Sequence, residues 1–429
     1  MNVTREKTEN CQAYLTIELE PAEVEKALET SYHRLVNKTN VPGFRKGKTP
    51  RAVLERYLGK DSLLDEALNT LVPEAYANAI KEQEIEAIAQ PSIEITQTNP
   101  LVFKAIVPMR PTVELGEFRN IRVTPEPVTV TEDDINAVIE QLRHQQAAWE
   151  LVERTAESGD MVILDIESSI DGEPFFNREG AQFKLVPEAV FPAPGFSGQL
   201  VGAAVDEERE FQIELNEDYP REELRGKTAS FKVKIKEIKQ EILPELTDEF
   251  AQAVNQEYQD LNALREQVTV NLRQGAEEKA RADLEEKVIK AVAEVTQVDF
   301  PPILVESEID RMINQQLQRW QMTDKLEEYL RIINKTEEEL RDELHPLAKE
   351  RVTNSLILGE VAETEKVEAS DTEVDAEIDN LMKNVTENTE EFSKFLGTPE
   401  SREAIRRSLV TRKTVQLLVD IATDSSKEA

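Results

Sequence analysis

From residue 246 to the end of the chain, apolar residues recur at spacings of three and four almost without a break. Runs such as LNALREQVTVNLRQGAEEKARADLEEKVIKAVAEV fit helices at that period. Few aromatics fall there, and acid–base pairs four residues apart are frequent. That pattern points to elongated, solvent-laced helices rather than one thick globule. Asp299-Phe300-Pro301-Pro302 is expected to break the helices, and His345-Pro346 to interrupt or kink another, because proline has no N–H and clashes with the preceding turn. No repeat of fixed period emerges. Leu, Ile, Val and Met on such helices are ordinary bundle core by periodicity, yet incompletely packed ones would offer apolar surface.

The first part of the chain reads differently. In AYLTIELE (13–20), Ala13, Leu15, Ile17 and Leu19 alternate, which marks a half-buried strand. PAEVEKALETSYHRLV follows as a helix over 21–37, with Pro21 suited to a first helical position. A loop spans 38–49, then two helical segments, PRAVLERYL and DSLLDEALNTLVPEAYANAIKEQ. PSIEITQ and LVFKAIVP, joined by Thr98-Asn99-Pro100, predict a hairpin. Residues 111–125 look extended, and 131–150 predict a helix with Thr131 as N-cap. The next stretch, 151–243, is β-rich: MVILDIESSIDGEPF gives a strand and a turn at Asp171-Gly172, and FKVKIKEIK alternates strictly. Eight aromatics fall between 161 and 240, about twice the density of the whole chain. The fold class is therefore multidomain α+β: an α+β unit over 1–112, an extended linker and helix over 113–150, a β-rich unit over 151–243, and an all-α region over 244–429.

Composition removes several chemistries. Cys11 is the single cysteine, so no disulfide framework is expected and a reducing cytoplasm fits. His33, His144 and His345 lie far apart, so no metal site is expected, and no calcium-loop spacing occurs. No run of about 18 apolar residues predicts a membrane span, and MNVTREKTENCQAYL carries no export signal. The net charge is −35, but residues 1–110 hold 14 Lys/Arg and 16 Asp/Glu, leaving the rest to carry −33. Within the near-neutral part, residues 30–54 contain no acid and hold Arg34, Lys38, Arg45, Lys46, Lys48 and Arg51. Such a segment docks on a polyanion, or else pairs with the protein's own acids.

The heart of that segment, GFRKGKTP (43–50), looks like a phosphate-binding loop. The pattern GxxxxGK[ST] needs four residues between its glycines, and here there are three. A phosphate loop also follows a buried strand, whereas this one follows a helix. No nucleotide or other cofactor is expected.

The three parts in this order, opened by NVPGFRKGKTPRAVLERYLG, resemble bacterial trigger factor over essentially the whole chain. LRGKTASFKVKIKEIKQEILPELTDEF (224–250) and VDFPPILVESEID (298–310) are further similar stretches. The resemblance implies an ATP-independent chaperone that docks on the large ribosomal subunit beside the polypeptide exit, touching ribosomal protein and rRNA, and shelters nascent and unfolded chains. It implies docking by Phe44, Arg45 and Lys46, with Gly43 shaping the loop, and Lys48 and Arg51 at most in support. A homodimer is an expectation for the free state. Two other readings stay open: a ribosome-assembly factor using the loop on RNA, and a free prolyl isomerase with helical arms.

By the same resemblance, 151–243 is an FKBP-type prolyl isomerase. Such an enzyme needs no nucleophile: an apolar aromatic pocket favours the twisted amide over the planar one, against a barrier of about 18–20 kcal/mol. Phe175, Phe183, Phe196, Tyr219 and Phe231 match the family's pocket, while Ile166, Pro192 and Ala193 stand where an aromatic and a bulky aliphatic pair are usual. Asn177-Arg178 replaces a Gly-rich turn. Activity is expected, and weak.

Overall fold

The computed structural model describes residues 1–187, 189–216, 219, 221, 224–323, 325–383 and 389–423. Its contacts divide the chain into two units, Met1–Pro125 with Ala282–Ala429, and Glu126–Arg281.

The first unit begins with β1 (Asn2–Glu9), β2 (Gln12–Leu19), α1 (Pro21–Lys38), α2 (Arg51–Leu58), α3 (Lys60–Glu82), β3 (Ser92–Thr98) and β4 (Leu101–Pro108). The strands form an antiparallel sheet in the order β1-β2-β4-β3. Ala13, Leu15, Ile17 and Leu19 are buried with Leu101, Phe103, Ala105 and Val107 against Val72, Ala75 and Ala79 of α3. The alternation read from the sequence is thus the core face of this sheet. Strand β1 was not anticipated, because NVTREKTE is almost wholly exposed and carries no apolar alternation. It is an edge strand held by ladder hydrogen bonds to β2. After β4 the chain continues extended through β5 (Thr112–Glu114).

The second unit contains α4 (Glu132–Gln145), β6 (Ala148–Leu151), β7 (Met161–Ile170), β8 (Glu173–Pro174), β9 (Arg178–Lys184), α5 (Phe196–Leu200), β10 (Glu208–Glu214), β11 (Thr228–Ile242), α6 (Asp248–Val254) and the first part of α7 (Leu261–Val295). Thr131 caps α4 as expected, its hydroxyl accepting from the Asp134 N–H in a reciprocal box. The helix ends at Gln145, not at 150: residues 148–151 pair with Lys239–Ile242 of β11, and ladder bonds there replace helical ones. The long β11 lies between β10 and β7, and β9 pairs with β7. Asp171 and Gly172, at φ 54° and 86°, make the tight β7–β8 turn. Ile135 and Ile139 of α4 are buried with Phe250, Ala251, Leu264 and Val268.

The first unit resumes with the end of α7, then β12 (Gln297–Asp299), α8 (Ile303–Arg319), α9 (Leu326–Ile333), α10 (Glu337–Glu365), α11 (Asp371–Lys383), α12 (Thr389–Leu396) and α13 (Pro399–Thr423). The Asp299–Pro302 break is present, but β12 just before it pairs with β5, a contact no local pattern announces. Phe118 is buried among Val288, Val292, Ile357, Leu358 and Leu418, so the segment after β5 is part of a helical core. Helix α10 is continuous through Pro346, contrary to an interruption there. Leu340, Leu344 and Ala348 flank the proline and are buried with Ile309, Met312 and Ile313 of α8, which offsets the missing backbone bond. No helix among the described residues is long and apolar enough to cross a membrane.

Candidate functional site

The basic loop between α1 and α2 is tied down at its base. Val41 is buried with Val36 and Leu54, the Tyr32 hydroxyl donates to the Thr49 carbonyl at 2.8 Å, and the Gly47 N–H donates to the Val36 carbonyl at 3.1 Å. Gly43 and Gly47 sit at φ 88° and 80°, where a side chain is strained. A Cβ at Gly47 would also meet the Asn37 Oδ1 at 2.7 Å. The tip between the glycines is consequently held outward: Phe44 is 40% exposed, and Arg45, Lys46 and Lys48 are exposed.

The six bases of this region divide by partner. Arg34 pairs with Glu66 at 3.3 Å. Arg51 pairs with Glu25 at 2.5 Å and Glu55 at 2.8 Å, and hydrogen bonds to those carboxylates push its already high pKa further up. Among the described residues, Lys38, Arg45, Lys46 and Lys48 have no ion pair. The flanking Arg34 and Arg51 thus pair with the protein's own acids, as one of the two readings expects, whereas the tip cations pair with none.

The aromatic residues of the second unit form one network. Phe196 packs at 5.3 Å from Phe183 and 5.2 Å from Phe231, and Phe175 lies edge-on to Phe231 at 6.2 Å. Ile166, Ala193, Phe196, Tyr219 and Phe231 share one buried cluster, with Phe175 and Phe183 partly buried against it. Every residue picked from the sequence thus comes to one region, but not to one open cavity. A groove of about 1020 Å³ is lined by Ile166, Phe211 and Phe231 with Ser168, Asn177 and Arg178 among others, whereas Phe183, Phe196 and Tyr219 do not line it. Phe196 and Ala193 are 0% exposed. Pro192 is buried too, and its carbonyl accepts the Tyr219 hydroxyl at 3.0 Å.

Two aromatic residues of the region, Phe211 and Phe191, are not among the site candidates read from the sequence. Phe211 lies opposite Phe231 across β10–β11 and stacks on it at 5.6 Å. The alternation of EREFQIE could have placed it. Phe191, 58% exposed, sits edge-on to Phe176 at 5.1 Å and stacked with Phe183 at 6.3 Å. Asn177, in place of a Gly-rich turn, accepts the Ser168 N–H at 2.6 Å and staples the groove's rim to β7. Asp165 on the same rim takes Lys236 at 2.7 Å and the Gly180 N–H at 2.8 Å, which together hold its carboxyl below the usual range.

A β-rich unit with an aromatic cluster, preceded by an α+β unit with an exposed basic loop and followed by helices, fits the class of folding-assistance proteins with an isomerase module. The comparisons give that class its family. Residues 152–236 match the FKBP-type peptidyl-prolyl cis-trans isomerase model, 1–142 the bacterial trigger factor protein model, and 260–420 its C-terminus model. A trigger factor of Dehalococcoides mccartyi is 44% identical over 432 residues, covering 100% of this chain and 96% of the relative. Those of Halalkalibacterium halodurans and Halothermothrix orenii are each 36% identical, covering 98% of this chain and 99% of the relative. The chain belongs to the bacterial trigger factor family, ribosome-associated chaperones that carry an FKBP-type peptidyl-prolyl isomerase domain.

Proposed function

We propose that this chain docks on the large ribosomal subunit at the polypeptide exit through Phe44, Arg45 and Lys46, with Gly43 and Gly47 setting the loop. The observation that carries this reading is the division of charge: the tip presents unpaired cations beside a 40%-exposed phenylalanine, while Arg34 and Arg51 are consumed internally. Phe44 suits an apolar crevice on a ribosomal protein. The guanidinium of Arg45 can take a carboxylate or phosphate bidentately, and Lys46 contributes a point charge to rRNA. In this reading the work divides among residues 1–112 for docking, 113–150 as connection, 151–243 for isomerisation and 244–429 for holding clients. It acts in the cytoplasm, needs no nucleotide, and off the ribosome associates as a homodimer. The exposed Trp320, Ile332, Leu347 and Phe395, at 62%, 65%, 51% and 62%, supply apolar contact for unfolded chains. Phe175, Phe183, Phe196, Tyr219 and Phe231 form the prolyl site, with Ile166, Pro192 and Ala193 at the positions where the family's usual aromatic and bulky aliphatic pair are replaced.

The test is co-sedimentation with ribosomes. Phe44, Arg45 and Lys46 replaced together by Ala should abolish binding to mature ribosomes and leave the helical circular dichroism unchanged. Unchanged co-sedimentation removes the loop from docking, and preferential binding to precursor particles would favour the assembly-factor reading.

A further inference from the structure

The aromatic site and the segment that precedes α5 are engaged with each other. Phe191 lies against Phe176 and Phe183, with ring centroids at 5.1 and 6.3 Å. The next residue, Pro192, is buried, and Tyr219 spends its hydroxyl on the Pro192 carbonyl at 3.0 Å. Ala193 and Phe196 beyond it are fully enclosed. A prolyl substrate brings to such a site an apolar residue, a proline ring and a carbonyl that needs a donor. The chain's own Phe191-Pro192 supplies the same three groups.

We propose that Phe191-Pro192 is an autoinhibitory strap: it occupies the prolyl site of the isomerase domain and must be displaced before a client X–Pro segment binds. The inference rests on the isomerase reading of this domain. Its physical basis is competition for fixed partners. Tyr219 has one O–H to donate, so a client carbonyl gains that bond only when Pro192 gives it up. The seat on Phe176 and Phe183 holds the strap by edge and stacking contacts, and Gly195 at φ 82° provides a pivot before α5 that other residues resist. Phe191 is 58% exposed and Val190 64% exposed, so the strap opens from that end, while the buried Pro192 leaves its seat only when the Tyr219 bond is given up. A hydrogen bond and an aromatic contact together shift such an equilibrium roughly tenfold or more toward the closed form. The apparent affinity for client falls by the same factor, because only the open fraction binds.

The experiment uses the full chain with Phe191→Ala, which removes the seat's ring, and Phe176→Leu, which loosens the seat from the other side. Turnover of a short prolyl peptide and its binding by calorimetry are both measured. Each variant should lower KM and Kd roughly tenfold with kcat nearly unchanged, since the strap opposes binding and not bond rotation. If the wild type turns over and neither folded variant changes KM or Kd, the strap is overturned and the isomerase reading stands. If no form turns over but both variants bind the peptide more tightly, the strap stands and the isomerase reading fails.

Discussion

The division of the basic segment into paired and unpaired charges predicts how ribosome affinity responds to salt. Lys38, Arg45, Lys46 and Lys48 are without ion pairs among the described residues, whereas Arg34 and Arg51 are held by Glu66 and by Glu25 and Glu55. Each cation that replaces a condensed counterion at a phosphate contributes a slope of about −0.7 to −0.9 in log K against log salt. If all the unpaired cations reach rRNA, the slope is about −3, and Arg45→Ala with Lys46→Ala should halve it. At fixed low salt the loss of two charge-assisted contacts amounts to about 3 kcal/mol or more, roughly a hundredfold in affinity. Arg51→Ala should behave otherwise. Its guanidinium already satisfies Glu25 and Glu55, so the slope stays as it is and the cost appears as about 1 kcal/mol of lost stability. Binding to ribosomes is titrated between roughly 50 and 200 mM salt for the three proteins, with a urea melt of each. An equal fall in slope for Arg51→Ala, or an unchanged slope for the double variant, would refute the reasoning.

Three further outcomes are expected. Phe118→Ala removes a ring buried among Val288, Val292 and Leu418 and should lower stability by about 3–5 kcal/mol, read as a reduced urea midpoint, with the isomerase domain's own transition unmoved. Ala193→Ile, which would restore bulk beside the prolyl site, should destabilise by about 1–3 kcal/mol rather than raise turnover, because Ala193 is already 0% exposed; thermal melting and peptide isomerisation decide. The Glu373 carboxyl is held down to about 2, against 4.5, first by its hydrogen bond to Lys413 and then by Ser370. A depressed carboxylate stabilises the fold above its unfolded pKa and loses that contribution as pH falls, here between about 4.5 and 2, so Glu373→Gln should melt below the wild type at pH 6 and together with it near pH 2.

The region around Glu373 also shows why the helical part was legible only in outline. The three-and-four spacing located the helices, and the frequent acid–base pairs were read as partners within one helix. Several of them join α11 to α13 instead. Asp371 and Asp375 pair with Arg406 and Arg402 on one side, and Glu373 and Glu377 with Lys413 and Arg412 on the other. Val374 and Leu409 are buried in the seam between. An acid three or four residues from a base looks the same in sequence whether its partner is local or thirty residues away. The strands β1 and β6 were missed for a related reason: an edge strand stabilised by ladder bonds needs no apolar alternation, so nothing periodic marks it.

The prolyl site raises the harder case, because its function consists of being apolar. The resemblance, rather than alternation or aromatic density, singles out its residues, and of these Phe196 and Phe231 meet at 5.2 Å. Yet Val162, Leu164, Val233 and Ile235 lie in the same cluster and are as buried as they are. A site that stabilises a twisted amide by excluding water is assembled from core residues, and periodicity assigns both uses the same pattern. What separates Tyr219 from its neighbours is the destination of its hydroxyl, a backbone carbonyl 27 residues away in sequence. That bond depends on how the loop before α5 folds back over the sheet. The loop carries three prolines, Pro187, Pro192 and Pro194, within eight residues of one another. Restricting φ at those positions limits the conformations the segment can take, so that Pro192 and Phe191 arrive at the aromatic rings together. In a linear reading those prolines mark only a loop. In the folded chain they belong to the segment that sets Phe191 against Phe176 and Phe183 and the Pro192 carbonyl against the Tyr219 hydroxyl.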